Sequence, residues 1–180
     1  MLNNKKLSEI LRVNHAGEFG AKVIYDGQIS ALKLKKDQDS VELVKHMKEQ
    51  EVVHFDYFDK EIVAQKIRPT IMQPVWRVGG FALGFLTALA DKRAAMCCTT
   101  AVEEVIDEHY RDQLEVLQKT ENLSEKEKEL VEKIEKFRQE ELEHRDIGYE
   151  HDAAQLPYFK PLSGFVKMAT KFAIAVSKRV

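Results

Sequence analysis

Cysteine is almost absent from this sequence: Cys97 and Cys98 are the only two, and they are adjacent. Neighbouring cysteines seldom bridge, because the peptide geometry resists it, so no disulfide framework can hold the fold together. Four prolines and eight glycines are too few for a sandwich or barrel built on many tight turns. An excess of one charge is also missing. Against 30 Asp and Glu stand 28 Lys and Arg, a net charge of −2, which excludes a partner such as nucleic acid held by a basic surface. The longest uncharged run, Val78 to Ala90, has 13 residues and is too short for a hydrocarbon core of about 30 Å. The opening MLNNKKLSEILRV has neither the apolar core nor the cleavage site of a secretory leader. Zinc-protease and nucleophile-elbow motifs are absent too. What is left for 180 residues is the size of one domain with a real core, and the expectation is a single all-α domain over residues 1–180.

Six stretches read as helical. The expected bundle helices run over about 7–35, 40–67, 91–119 and 124–155, with two further helices over about 75–90 and 158–180. Asp39 with Glu42, and Ser124 with Glu127, have capping-box spacing. The run RPTIMQP, and Pro157 with Pro161, break the chain because a helix rarely continues into proline. Val, Ile and Thr never alternate with polar residues long enough to suggest a strand. The four long helices, about 40–48 Å at 1.5 Å per residue, are expected to pack side by side.

Helical spacing places a carboxylate inside each apolar seam. The seams read Leu11, Asn14, Glu18, Ala21, Tyr25; Val44, Met47, Glu51, His54, Phe58; Met96, Thr99, Glu103, Ile106, Tyr110; and Leu130, Ile134, Phe137, Glu141, His144, Gly148. An unpaired buried carboxylate costs several kcal/mol (~3–5), so four of them demand a counter-charge. Residues three apart on a helix lie about 4.5 Å along its axis, so Glu51-x-x-His54 and Glu141-x-x-His144 each aim an oxygen and an imidazole at one ion. Glu18 and Glu103 complete a set of four carboxylates and two neutral imidazoles. Two divalent ions would neutralise that set, and mixed oxygen and nitrogen ligands suit iron or manganese.

The arrangement is more telling than the motif, of which composition alone gives about 0.7 copies by chance. Glu18 precedes Glu51 by 33 residues, Glu103 precedes Glu141 by 38, and each lone Glu has a Tyr seven residues on. The chain therefore reads as two helix-pair repeats around a pseudo-twofold pair of metals. A register error of one residue would exchange Glu103 with Glu104 and Glu141 with Glu140. His15 and His46 read as packing or surface residues, Tyr25 and Tyr110 as core or pocket lining, and the cysteines as packing thiols.

The two extra helices have another character. Trp76 and Arg77 flank the apolar third helix on one side and Asp91, Lys92 and Arg93 on the other. The last carries Lys160, Lys167, Lys171, Lys178 and Arg179 with no acid, among Leu162, Phe165, Val166, Phe172, Ile174 and Val176. Amphipathic, basic and aromatic is the profile of a helix lying in the headgroup plane, so both are expected to face a membrane surface. The competing expectation is that they cap the bundle or pair with another chain.

RVNHAGEFGA at 12–21, QEVVH at 50–54, RPT at 68–70, GFALG at 80–84, AVEE at 101–104 and FRQEELEHRDIG at 137–148 resemble the demethoxyubiquinone hydroxylase family of ubiquinone biosynthesis. The resemblance runs in order from about Glu9 to the end. It implies a membrane-associated, ferritin-like di-iron carboxylate fold, with Glu18, Glu51, His54, Glu103, Glu141 and His144 as ligands of two Fe ions. It also implies His109 and Tyr110 near the active site, where electrons enter from NADH or another reductant. Asn14 and Phe19 stand where relatives often carry Asp and Tyr. The implied reaction inserts one atom of O2 into the ring of a polyprenyl demethoxyquinone. The enzyme would sit peripherally on the cytoplasmic face of a bacterial cell membrane, since no targeting extension precedes the first helix. A homo-oligomer or a lipid-presenting helper protein is compatible with this picture. Another ferritin-like oxidase or peroxidase, or an iron-storage protein, is the competing reading.

Overall fold

The computed structural model describes residues 3–180. Six α-helices account for most of them: α1 (Asn4–Leu34), α2 (Gln38–Ala64), α3 (Gln73–Ala90), α4 (Lys92–Gln118), α5 (Glu125–Glu150) and α6 (Phe159–Ser177). A 3-10 turn at Ala153–Gln155 separates the last two, and no strand occurs among the described residues.

The helix ends show which local signals were decisive. Ser124 and Glu127 form the expected capping box on α5, and the Asp91 side chain accepts from the Arg93 N–H at the start of α4. For α2 the expected cap is corrected. Asp37, not Asp39, accepts from the Ser40 N–H, while Glu42 pairs with Lys45 and Gln38 instead. Helix α2 also stops at Ala64, short of the expected 67. There Lys66 takes a left-handed φ of 55°, and the Ile67 N–H donates to the Ile62 carbonyl while Lys66 N–H donates to Val63. The same closure ends α1 at Lys36, φ 59°. Left-handed closure usually recruits glycine, so a lysine there leaves little trace in the sequence. Helix α5 ends at Glu150, before the expected 155, because Asp152 turns left-handed (φ 65°) into the 3-10 turn.

Connections of a few residues fold α1 and α2 into one antiparallel hairpin and α4 and α5 into another. The hairpins face each other to form the expected four-helix bundle. Helix α3 lies along α1 and α6 along α4. The α1–α3 crossing is unusually close: a Cβ at Gly84 would collide with the Ile24 carbonyl, and one at Gly27 with the Phe81 carbonyl.

The apolar core comes in two blocks. Leu11, Phe58, Ile62, Leu114, Leu117, Leu130, Ile134 and Phe137 fill one end. Leu32, Val41, Val44, Met47, Ala94, Ala95, Met96 and Leu156 fill the other. Cys97 and Cys98 are buried free thiols, and burial pushes them up to about 11 and about 12. Between the blocks the interior is polar.

Candidate metal centre

That polar layer holds all six residues singled out by seam spacing. Glu18, Glu51, His54, Glu103, Glu141 and His144 come from four different helices, and each exposes 1% of its surface or less. They form two overlapping groups. Glu18, Glu51, His54 and Glu141 bring one ligand atom each to within 4.8 Å of one another, as do Glu51, Glu103, Glu141 and His144. Glu51 and Glu141 belong to both groups. Glu104, the neighbour of Glu103, points elsewhere: it accepts from the Tyr149 hydroxyl and pairs with Lys167 on the outside of the bundle.

Both imidazoles turn Nδ1 inward. His54 Nδ1 lies 3.1 Å from Glu141 and 3.4 Å from Glu18. His144 Nδ1 lies 3.1 Å from Glu51 and 3.4 Å from Glu141. Each Nε2 is engaged on the far side, His54 with Glu140 and His144 with Gln50, both at 2.7 Å. The tyrosines cross between the halves. Tyr25 on α1 donates to Glu103 on α4 at 2.8 Å, and Tyr110 on α4 donates to Glu18 on α1. Burial first, then Glu103 and Glu18 respectively, raise both phenols well above their ordinary range.

Like charges at this density set the protonation of the metal-free layer. Burial, followed by the charges of Glu141 and Glu18, pushes Glu51 well above the usual carboxylate range. Burial with Glu141 and Glu51 does the same to Glu103. Glu141 goes the other way: burial opposes its charge, but the imidazoles of His144 and His54 beside it hold it well below that range. Burial opposes the charge of His54 too, yet Glu141 and Glu18 raise it to about 12. The metal-free layer thus has to take up protons in place of cations.

The residues fit a pair of cations on independent grounds. Both Glu51 oxygens, one oxygen each of Glu18, Glu103 and Glu141, and His144 Nδ1 are buried without a hydrogen-bond partner. Each such atom costs about 1–3 kcal/mol when left unsatisfied, and of the orphaned buried side-chain atoms among the described residues only His15 Nδ1 and Gln28 Oε1 lie outside the two groups. Oxygen and imidazole donors with two shared carboxylates are a donor set for iron or manganese.

His109 does not join the layer. It lines an outer groove of about 960 Å³ with Arg12, Glu108, Asp112, Lys171 and Lys178. Its Nε2 accepts from Gln113 at 2.7 Å, and Gln113 exchanges two hydrogen bonds with Asn14 across the bundle. Burial, then Lys178 and Lys6, push His109 down to about 4. Gln50, Gln113 and the role of Glu140 escaped the sequence reading. The one available signal was positional: Gln50 and Glu140 each stand immediately before a Glu-x-x-His.

A second cavity, of about 260 Å³, is almost wholly apolar. Gly17, Gly20, Ala21 and Ile24 of α1, Gly80 and Leu83 of α3, Val102 and Ile106 of α4, and Ala169 and Ala173 of α6 are among its walls. Gly17 and Val102 directly precede Glu18 and Glu103. Outside it, α3 exposes Val75, Val78, Leu86 and Leu89, and α6 exposes Met168 and Phe172, while Phe165 is both exposed and part of the cavity wall. Part of the expected basic face of α6 pairs with a neighbouring helix instead: Lys167 meets Glu104 and Lys171 meets Glu108 on α4. None of the helices among the described residues is long and apolar enough to cross a membrane.

An all-helical bundle with carboxylates and histidines facing inward at its middle is one of the recurrent designs for a metal-dependent redox protein. Within that class the family model for ubiquinone biosynthesis protein COQ7 matches residues 5–177, and the chain belongs to that family. It is 48% identical over 174 residues to a Rhodospirillum rubrum protein named 3-demethoxyubiquinol 3-hydroxylase, covering 97% of this chain and 78% of the other. A Dictyostelium discoideum protein named NADPH-dependent 3-demethoxyubiquinone 3-hydroxylase, mitochondrial, is 47% identical over 179 residues, covering 99% and 80%. The human protein of the same name is 42% identical over 180 residues, with the same coverage.

Proposed function

We propose that this chain is a di-iron monooxygenase, a 3-demethoxyubiquinol 3-hydroxylase acting on a polyprenylated ring. The observation that carries this reading is the pair of ligand groups sharing Glu51 and Glu141, set beside an apolar slot. Glu18, Glu51, His54 and Glu141 would hold one iron, and Glu51, Glu103, Glu141 and His144 the other. When bound, the irons supply the activation of O2, which needs two electrons from NADH, NADPH or another reductant. In the net reaction one oxygen atom enters a ring C–H bond. The other leaves as water, with two protons consumed.

The protein's own part is positioning and exclusion. Gln50 and Glu140 accept from the outer imidazole nitrogens, which fixes the tautomer that leaves each Nδ1 lone pair free inward. Tyr25 and Tyr110 orient Glu103 and Glu18 by donating to one oxygen of each. The two apolar blocks keep bulk water from both ends of the layer. The small residues of the slot admit a flat ring and an isoprenoid chain, and its apolar walls favour them over water. His109, with Tyr110 next to it in sequence, places a groove-lining group beside one that touches Glu18, in keeping with electron entry there.

A substrate with such a tail stays in a bilayer, so α3 and α6 present the slot to the lipid surface. The exposed apolar side chains of both helices support peripheral attachment; the face we propose is the cytoplasmic one of a bacterial cell membrane. Replacing Phe165, Met168 and Phe172 together with serine should abolish sedimentation with liposomes while leaving the melting temperature nearly unchanged. Full sedimentation of that variant would refute the assignment. For the reaction, the quinones of cells lacking the gene should shift to demethoxyubiquinone, restored by the wild-type chain and not by Glu141→Ala. A normal quinone pool in those cells would remove the reading.

A further inference from the structure

The residues that precede the two Glu-x-x-His motifs exchange partners. Gln50, before Glu51 on α2, accepts from His144 on α5; Glu140, before Glu141 on α5, engages His54 on α2. Both contacts are 2.7 Å long, both reach an Nε2 atom, and both cross between hairpins. The geometry obeys the pseudo-twofold and the chemistry breaks it: one imidazole is backed by a carboxylate, the other by a neutral carboxamide.

In residue type the six inner groups carry no such difference. Each half of the bundle supplies one lone Glu, one Glu-x-x-His and one crossing tyrosine. The outer contact of the imidazoles is therefore where the two ion positions part company. A carboxylate accepting from a ligand imidazole strengthens that imidazole as a donor and adds a negative charge behind it. A carboxamide fixes the ring orientation without that charge. Lys136 lies 3.3 Å from the other Glu140 oxygen, but its side chain is 62% exposed, and water screens a pair of that kind heavily.

We propose that Glu140 makes the two metal positions unequal: the position served by His54 is the tighter and fills first, and that served by His144 is the weaker. Glu140 is a positioning residue that acts through His54. This inference rests on the metal-binding reading above, and the test separates the two. Full-length protein stripped of metal is titrated with Co(II), followed by calorimetry and by the visible absorption of the bound ion. The wild type should take up two ions per chain in resolved steps.

Glu140→Gln keeps the shape and the hydrogen-bond capacity and removes the charge. It should weaken the first step by about 10- to 100-fold. Were the two positions equal, losing one would leave the other intact and move the first step by only about twofold, the statistical factor for two sites. The double exchange Glu140→Gln with Gln50→Glu moves the carboxylate to the His144 side and should restore a tight first step. Two ions bound with a first step within about twofold of wild type in Glu140→Gln would overturn the inference while leaving the metal centre standing. A weakened first step that the double exchange fails to restore would overturn it as well, by showing a structural role only. Failure of the wild type to bind Co(II) at all would remove the metal reading itself.

Discussion

The α1–α2 hairpin and the α4–α5 hairpin contribute the same inner residues but are braced in different ways. The first is held from outside by backbone contact, α3 pressing against α1 where Gly27 and Gly84 leave no room for a side chain. The second is met from outside by side chains: Val166 of α6 is buried in the core with Leu162 packed against it, and ion pairs run along the surface. Lys167 and Lys171 of α6 reach Glu104 and Glu108 of α4, and Arg138 of α5 binds Asp107 of α4 at 2.7 Å. Equivalent ligand placement therefore does not need equivalent packing. It needs the helical period and the right rotation of each helix, and either kind of brace can supply the rotation.

The comparison breaks most completely at the shared carboxylates. Glu141 belongs to both ligand groups and Glu18 to one. Glu141→Ala should therefore drop the iron content from about two per chain to near none, whereas Glu18→Ala should retain about one. Elemental analysis of the purified variants checks this, and equal losses would show that the groups do not share ligands.

A smaller effect distinguishes the layer with and without metal. Glu51 and Glu103 have raised carboxyls in the folded metal-free chain, so above their ordinary value of 4.5 they bind more protons folded than unfolded. Stability then falls as pH rises. His54, raised from 6.5 to about 12, acts in the same direction: its contribution is full below pH 6.5 and declines above it. Urea melts of the stripped protein should show declining stability from about pH 6.5 to 9. Metal-loaded protein should show a flatter profile, because the cations replace those protons.

The mildest test compares the crossing tyrosines. Tyr25→Phe and Tyr110→Phe each remove one hydrogen bond to a buried carboxylate, a loss of about 1.5–3 kcal/mol. Chemical denaturation should place the two variants within about 0.5 kcal/mol of each other. Only Tyr110→Phe should slow reduction of the metal centre, measured by stopped-flow absorption. Equal slowing in both would remove the distinction between a phenol that only orients and one on the electron route.

The convergence of the six inner residues was legible because a buried carboxylate interrupts an apolar seam, and a helix of 3.6 residues per turn leaves little freedom in which residue that is. Glu103 over Glu104 and Glu141 over Glu140 followed from phase alone. What Glu140 and Gln50 touch was hidden, because it depends on how α2 and α5 are rotated against each other. Left-handed lysines ended α1 and α2 without the customary glycine, which is why the second helix was expected to run too far. The basic residues of α6 suggested a headgroup-facing stripe, but two of them found partners on α4 that no pattern within α6 could reveal.

The buried cysteines bear on durability. Cys97 and Cys98 lie on the same helix as Glu103, less than two turns away, in a protein proposed to consume oxygen. A thiol is attacked by oxidants in its ionised form, and burial keeps both of these protonated at any physiological pH. Protonated sulfur is a poor entry to the sulfenic acid ladder, so a catalyst of that kind would be spared self-inflicted damage without having to give up two well-fitting side chains.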